Sequence, residues 1–144
     1  MVAYADSSFL VSLYANDDQS EIAGSYLTQN PYPLTLTSFS KSEAQHALRM
    51  RGFRGVISEE EMVRCLLLFE RDQDEGIYEF VPMDGEALFQ KATQLSHRHA
   101  LAQGVRYLDL LHVASALLVK SRRFLAFDVR QGKLAKSVGL EVRP

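Results

Sequence analysis

Four acidic residues of this 144-residue chain stand where an apolar run ends or begins. Asp6 follows the β-prone run Val2 to Ala5, and Asp128 follows Phe124 to Phe127. Glu43 lies early in a helical segment. Asp109 opens the most apolar helix of the chain, within Tyr107-Leu108-Asp109-Leu110-Leu111-His112-Val113-Ala114. Carboxylates that gather and lose water repel one another and need a counter-charge. A hard divalent cation with oxygen ligands supplies it, so Mg2+ or Mn2+ is the natural partner of such a cluster. Each acid also has a local explanation. Asp6 could cap the first helix and Glu43 could form a capping box with Ser40, while Asp109 suits the positive end of its helix and Asp128 suits a turn. Singly, those explanations suffice. The recurrence at four apolar junctions is what points to one metal site.

The elements that must gather these acids follow from the hydrophobic periodicity. Val2 to Ala5 reads as a strand, followed by a helix carrying Phe9, Leu10, Leu13 and Tyr14, with Ser7 or Ser8 as its cap. Glu21 to Leu27 is a second helix and Leu34 to Thr37 a second strand. The Ser40/Glu43 capping box then opens a helix that runs to about Arg51 and stops at Gly52. Glu59, Glu60 and Glu61 begin the next helix, where its dipole favours acids. Tyr78 to Val81 is a strand, and a helix from Glu86 ends at Gly104. Asp109 to Lys120 is a buried helix, apolar almost all round. A strand from Phe124 to Phe127, a helix from Gln131 to Val138 and a strand from Leu140 to Val142 complete the chain. Strands alternating with helices predict an α/β fold: one domain over residues 1–144, with a largely parallel sheet of four to five strands between helical layers. Ligands of such sheets sit beyond the carboxyl ends of the strands, the rim that all four acids could share.

In these segments the chain resembles a PIN domain, and within that group a VapC-type toxin ribonuclease. The resemblance is carried by Tyr4-Ala5-Asp6-Ser7-Ser8, by Ser42-Glu43-Ala44, by Leu108-Asp109-Leu110-Leu111-His112-Val113-Ala114-Ser115-Ala116, and by Phe127-Asp128-Val129-Arg130-Gln131 with Leu134-Ala135 and Gly139-Leu140. It covers essentially the whole chain. It implies a PIN-like three-layer α/β/α fold and a metal-dependent endoribonuclease, with Asp6, Glu43, Asp109 and Asp128 as the catalytic and metal-site acids. Ser8 would support the first acid. Asp6 and Asp109 would be the main Mg2+ (or Mn2+) ligands, Glu43 would orient water or a second ion, and Asp128 would complete the negative pocket. The resemblance further implies a cognate VapB-like antitoxin, a peptide of which covers the acidic site, and a homodimer. One position departs from the pattern: relatives often carry Thr or Ser two residues before the last acid, and here that residue is Ala126.

Other readings are weaker. A haloacid-dehalogenase-like phosphatase wants a second Asp two residues after the first, where this chain has Ser8. No Gly-rich phosphate loop is present. His97 and His99 have no second cluster with which to bind a transition metal. His112, one turn after Asp109, either reaches the acidic pocket or packs in the core. Two further alternatives to a toxin remain: a PIN nuclease acting in RNA processing or on single-stranded DNA, and a catalytically weak module that binds RNA or protein.

Composition bounds the partners. The chain is 47% hydrophobic and 24% charged, as a soluble globular domain is. Its one cysteine, Cys65, cannot make an internal disulfide and reads as a small buried hydrophobe in a reducing, cytoplasmic setting. Its apolar runs are too short for a membrane span. The net charge of −2 hides an uneven distribution: −1 over residues 1–55, −8 over 56–90 and +7 over 91–144. Basic residues near the proposed rim, Lys41, Arg49, Arg130 and Lys133, are candidate contacts to an RNA backbone.

Overall fold

The computed structural model describes residues 2–31 and 33–144. The elements follow the order β1 (Ala3–Ala5), α1 (Ser7–Tyr14), α2 (Ser20–Gln29), β2 (Leu34–Leu36), α3 (Ser38–Phe53), α4 (Glu59–Asp74), β3 (Tyr78–Phe80), α5 (Gly85–Gln103), α6 (Tyr107–Leu118), β4 (Arg123–Leu125), α7 (Val129–Ser137) and β5 (Glu141–Arg143). The strands pair in parallel in the order β3-β2-β1-β4-β5. Ala3 lies opposite Leu34 on one side and Arg123 on the other. Strand order therefore reverses around β1, which opens a crevice between the carboxyl ends of β1 and β4.

Side chains alternate across the sheet, as the pleat requires. Ala3, Ala5, Leu34, Leu36 and Leu125 pack with Phe9, Leu10, Tyr26, Leu48 and Phe69 from α1 to α4. Tyr4, Phe124 and Ala126 turn to the other face and join Leu88, Leu95, Leu110, Val113 and Leu134 from α5 to α7. The result is three layers, with the sheet in the middle. Cys65 is buried on the first face and its thiol donates to the Tyr14 carbonyl at 3.2 Å. Among the described residues no helix is long and apolar enough to cross a membrane.

Several helix starts differ from the sequence expectation, and the differences matter for the site. Asp6, not Ser7 or Ser8, caps α1 by accepting from the Phe9 N–H at 2.9 Å. The capping box of α3 is Thr37 with Ser40, not Ser40 with Glu43. Glu43 is thereby released from capping, one turn into the helix. α3 also runs through Gly52 to Phe53. Gly52 is tolerated there because a Cβ would lie 2.9 Å from the Met62 sulfur of α4, so its absence lets the two helices close. α6 begins at Tyr107, two residues before Asp109, and α7 begins directly after Asp128.

Candidate active site

Three of the four acids sit at helix starts that open onto the carboxyl edge of the sheet. Asp6 caps α1, Asp109 occupies the first turn of α6, and Asp128 caps α7 through the Gln131 N–H at 3.0 Å. Each helix offers its positive end to a carboxylate, with α1 following β1 and α7 following its neighbour β4. Asp109 is further fixed by the Arg106 backbone N–H, which donates to its Oδ2 at 3.1 Å.

Asp6 is the most enclosed acid, with no exposed surface. Its backbone N–H extends the ladder to the Leu125 carbonyl at 3.0 Å. Ser8 donates to its carboxylate, at 2.7 and 2.9 Å from the two oxygens, and accepts from the Phe127 N–H at 3.1 Å. One hydroxyl therefore locks the first acid to the segment that carries the last. Burial pushes the Asp6 carboxyl up to about 6, with the Asp128 charge adding to the rise; His112, the Phe9 N–H and Ser8 oppose it. The Ala126 side chain is buried against the α5–α7 core.

Glu43 reaches the same rim from α3. Its Oε1 is bound by His112 Nε2 at 2.6 Å and by the Ser7 hydroxyl. Burial raises the Glu43 carboxyl, but the hydrogen bond and charge of His112, with Ser7 and His46, outweigh it, and the net shift is downward. Its other oxygen, Oε2, is buried without a hydrogen-bond partner. An orphaned carboxylate oxygen in a buried position is costly.

Asp109 and Asp128 line a cavity of about 280 Å³ together with Arg106, Val129 and Arg130. Two cationic side chains thus share a cavity with two carboxylates, a mixture suited to a metal-bound phosphodiester. Among the described residues no three His, Cys, Asp or Glu side chains stand close enough to form a finished metal cage. The donors that approach the rim are nonetheless all oxygen, the set that Mg2+ and Mn2+ prefer. A larger cleft of about 480 Å³ lies around the amino end of β4, lined by Tyr26, Asn30, Arg123 and Arg143 and by none of these four acids.

The remaining candidates are spread more widely. Arg130 lines the cavity and Lys133 is exposed one turn further along α7. Lys41 pairs with Glu70 of α4 at 3.6 Å, and Arg49 is exposed less than two turns beyond Glu43 on α3. Arg106 and Ser7 were not singled out from the sequence. For Arg106 the usable signal was a base just ahead of an acid-bearing helix. For Ser7 it was adjacency to Asp6.

No protein-family model and no curated protein sequence matches the chain. Solved structures do. VapC20 of Mycobacterium tuberculosis, described as a sarcin–ricin-loop-cleaving toxin, superposes with a TM-score of 0.73 at 17% identity, over 99% of each chain. The chain has the fold of the VapC-type PIN domains. FitAcB of Neisseria gonorrhoeae gives a TM-score of 0.68 at 13% identity, over 100% of this chain and 97% of the other. VapBC-1 of nontypeable Haemophilus influenzae gives 0.63 at 15%, over 99% and 97%.

Proposed function

We propose that this chain is a Mg2+- or Mn2+-dependent endoribonuclease, the cytoplasmic toxin of a VapBC-type pair. The observation that carries the reading is the buried, Ser8-held Asp6 beside an Asp109/Asp128 cavity flanked by Arg106 and Arg130. When bound, a divalent ion would polarise the phosphoryl oxygen and lower the pKa of a bound water. The protein's own residues do the rest. Asp6 and Asp109 would hold the ion. Asp128, the most exposed of the acids, completes the negative pocket. Glu43, its Oε1 fixed by His112 and Ser7, would orient a water or a second ion at the same rim. Arg106 and Arg130, which line the same cavity as Asp109 and Asp128, would grip substrate phosphates, since guanidinium groups match phosphate oxygens in pairs.

The antitoxin partner and the homodimer belong to the same proposal. The VapBC-1 and FitAcB neighbours support the antitoxin partner. A peptide that covers the rim would have to satisfy the same carboxylates that await a metal. The test in cells is to sequence the 5′ ends of RNA after inducing the protein beside its Asp6→Asn variant. New, discrete 5′ ends are expected with the wild type alone. Identical end profiles from the two proteins would refute the assignment.

A further inference from the structure

Resting on the nuclease reading, we propose that His112 is a positioning residue that acts on the reaction through Glu43. His112 is completely buried in α6, yet both of its ring nitrogens are engaged. Nδ1 lies 2.8 Å from the Tyr4 hydroxyl, and Nε2 lies 2.6 Å from Glu43 Oε1. An ionised carboxylate only accepts hydrogen bonds, so Nε2 carries the hydrogen donated to Glu43. In the neutral ring Nδ1 then accepts from Tyr4. Tyr4 is itself fully buried on β1 and stacked on Phe124 with ring centroids 5.7 Å apart.

The relay therefore runs from the centre of the sheet to the rim. Tyr4 fixes the ring plane, helped by Phe39, whose centroid is 4.6 Å from that of His112. His112 fixes Glu43 Oε1, and Ser7, beside Asp6, holds the same oxygen. Two donors on one oxygen leave the carboxylate a single orientation, with Oε2 free and without a partner. Fixing a carboxylate through a buried histidine sharpens its geometry, and losing such support typically costs about 10- to 100-fold in metal affinity or activity. The two hydrogen bonds tie α6 to β1 on one side and to α3 on the other, so the orientation of the Glu43 carboxylate is set through the ring.

The test combines Mn2+ titration by calorimetry with steady-state cleavage of a single-stranded RNA by the full chain. Variants are His112→Ala, His112→Gln, Tyr4→Phe, Glu43→Gln and the His112→Ala/Glu43→Gln pair, each checked by circular dichroism. For His112→Ala, Mn2+ affinity and kcat should fall about tenfold or more, with KM for RNA unchanged. His112→Gln, whose amide can still donate to Glu43, should recover part of the loss. The paired variant should be no worse than Glu43→Gln alone, since the histidine acts through that carboxylate. Losses that multiply in the pair, or a folded His112→Ala with wild-type affinity and kcat, overturn the inference while leaving the nuclease reading intact. If His112→Ala does not fold, Tyr4→Phe decides: it deletes one hydroxyl, and a wild-type kcat for it overturns the relay. A wild-type protein that neither binds Mn2+ nor cleaves RNA overturns both.

Discussion

At the scale of single residues, the site stores an unfavourable charge in Asp6. Its carboxyl, normally near 3.8, is held at about 6 by burial. Because the folded state binds the proton more tightly than the unfolded chain, the contribution is fully present below pH 4 and is lost as pH rises through 6. Above that, the ionised Asp6 opposes folding by on the order of 2–3 kcal/mol unless a cation offsets it. Asn caps a helix as well as Asp does, so Asp6→Asn isolates the charge. In EDTA the variant should match the wild type at pH 4 and exceed it by about that amount at pH 7.5, with Mg2+ closing the gap; urea unfolding at the two pH values measures this. Asp6 stood out as an acid directly after a strand, whereas the contact of Ser8 with it was expected only from the PIN-domain resemblance. Glu43 was legible only as an acid in the right segment. Thr37, Ser38, Ser40 and Ser42 offer overlapping capping frames, and only the end of β2 at Leu36 selects Thr37.

At the scale of elements, the alternation of strand and helix was readable throughout, because each apolar stripe keeps its period. The boundaries were less so. The strands are three residues long: β1 to β4 are shorter than their four-residue runs, since flanking residues leave the ladder to start helices or loops, and β5 keeps its length but lies one residue later, at Glu141–Arg143. Gly104 illustrates a boundary that was plain: it ends α5 with φ of 61°, a left-handed conformation that favours glycine. The turn it makes leads into Arg106 and Asp109. A Cβ there meets no neighbour within 4 Å, so Gly104→Ala should cost only the backbone strain, roughly 1 kcal/mol, and Gly104→Asn less. Paired chemical-denaturation curves read the difference directly. A loss well above that figure would mean that the α5–α6 turn is strained in some further way.

At the scale of the whole molecule, the net charge of −2 argues weakly about partners because it is a sum over unlike parts. The basic final third supplies Arg106 and Arg130, and those two flank the acidic cavity. That pairing was not legible in the sequence, where the two residues stand 24 positions apart within the basic segment 91–144. Arg130→Ala should raise KM for RNA several-fold, leave kcat nearly unchanged and reduce the salt dependence of binding by about one released counterion. Fluorescence anisotropy across a salt series gives that slope. The central claim is that Asp6 and Asp109 hold a divalent ion that the fold requires for RNA cleavage. It is tested most directly by the Mn2+-dependent cleavage rate of one single-stranded RNA with the wild type, Asp6→Asn and Asp109→Asn. Cleavage by the wild type should vanish in EDTA and return with Mn2+, and both variants should be slower by on the order of a hundredfold or more. An Asp6→Asn variant that cleaves at the wild-type rate, or a wild type indifferent to EDTA, would contradict the account.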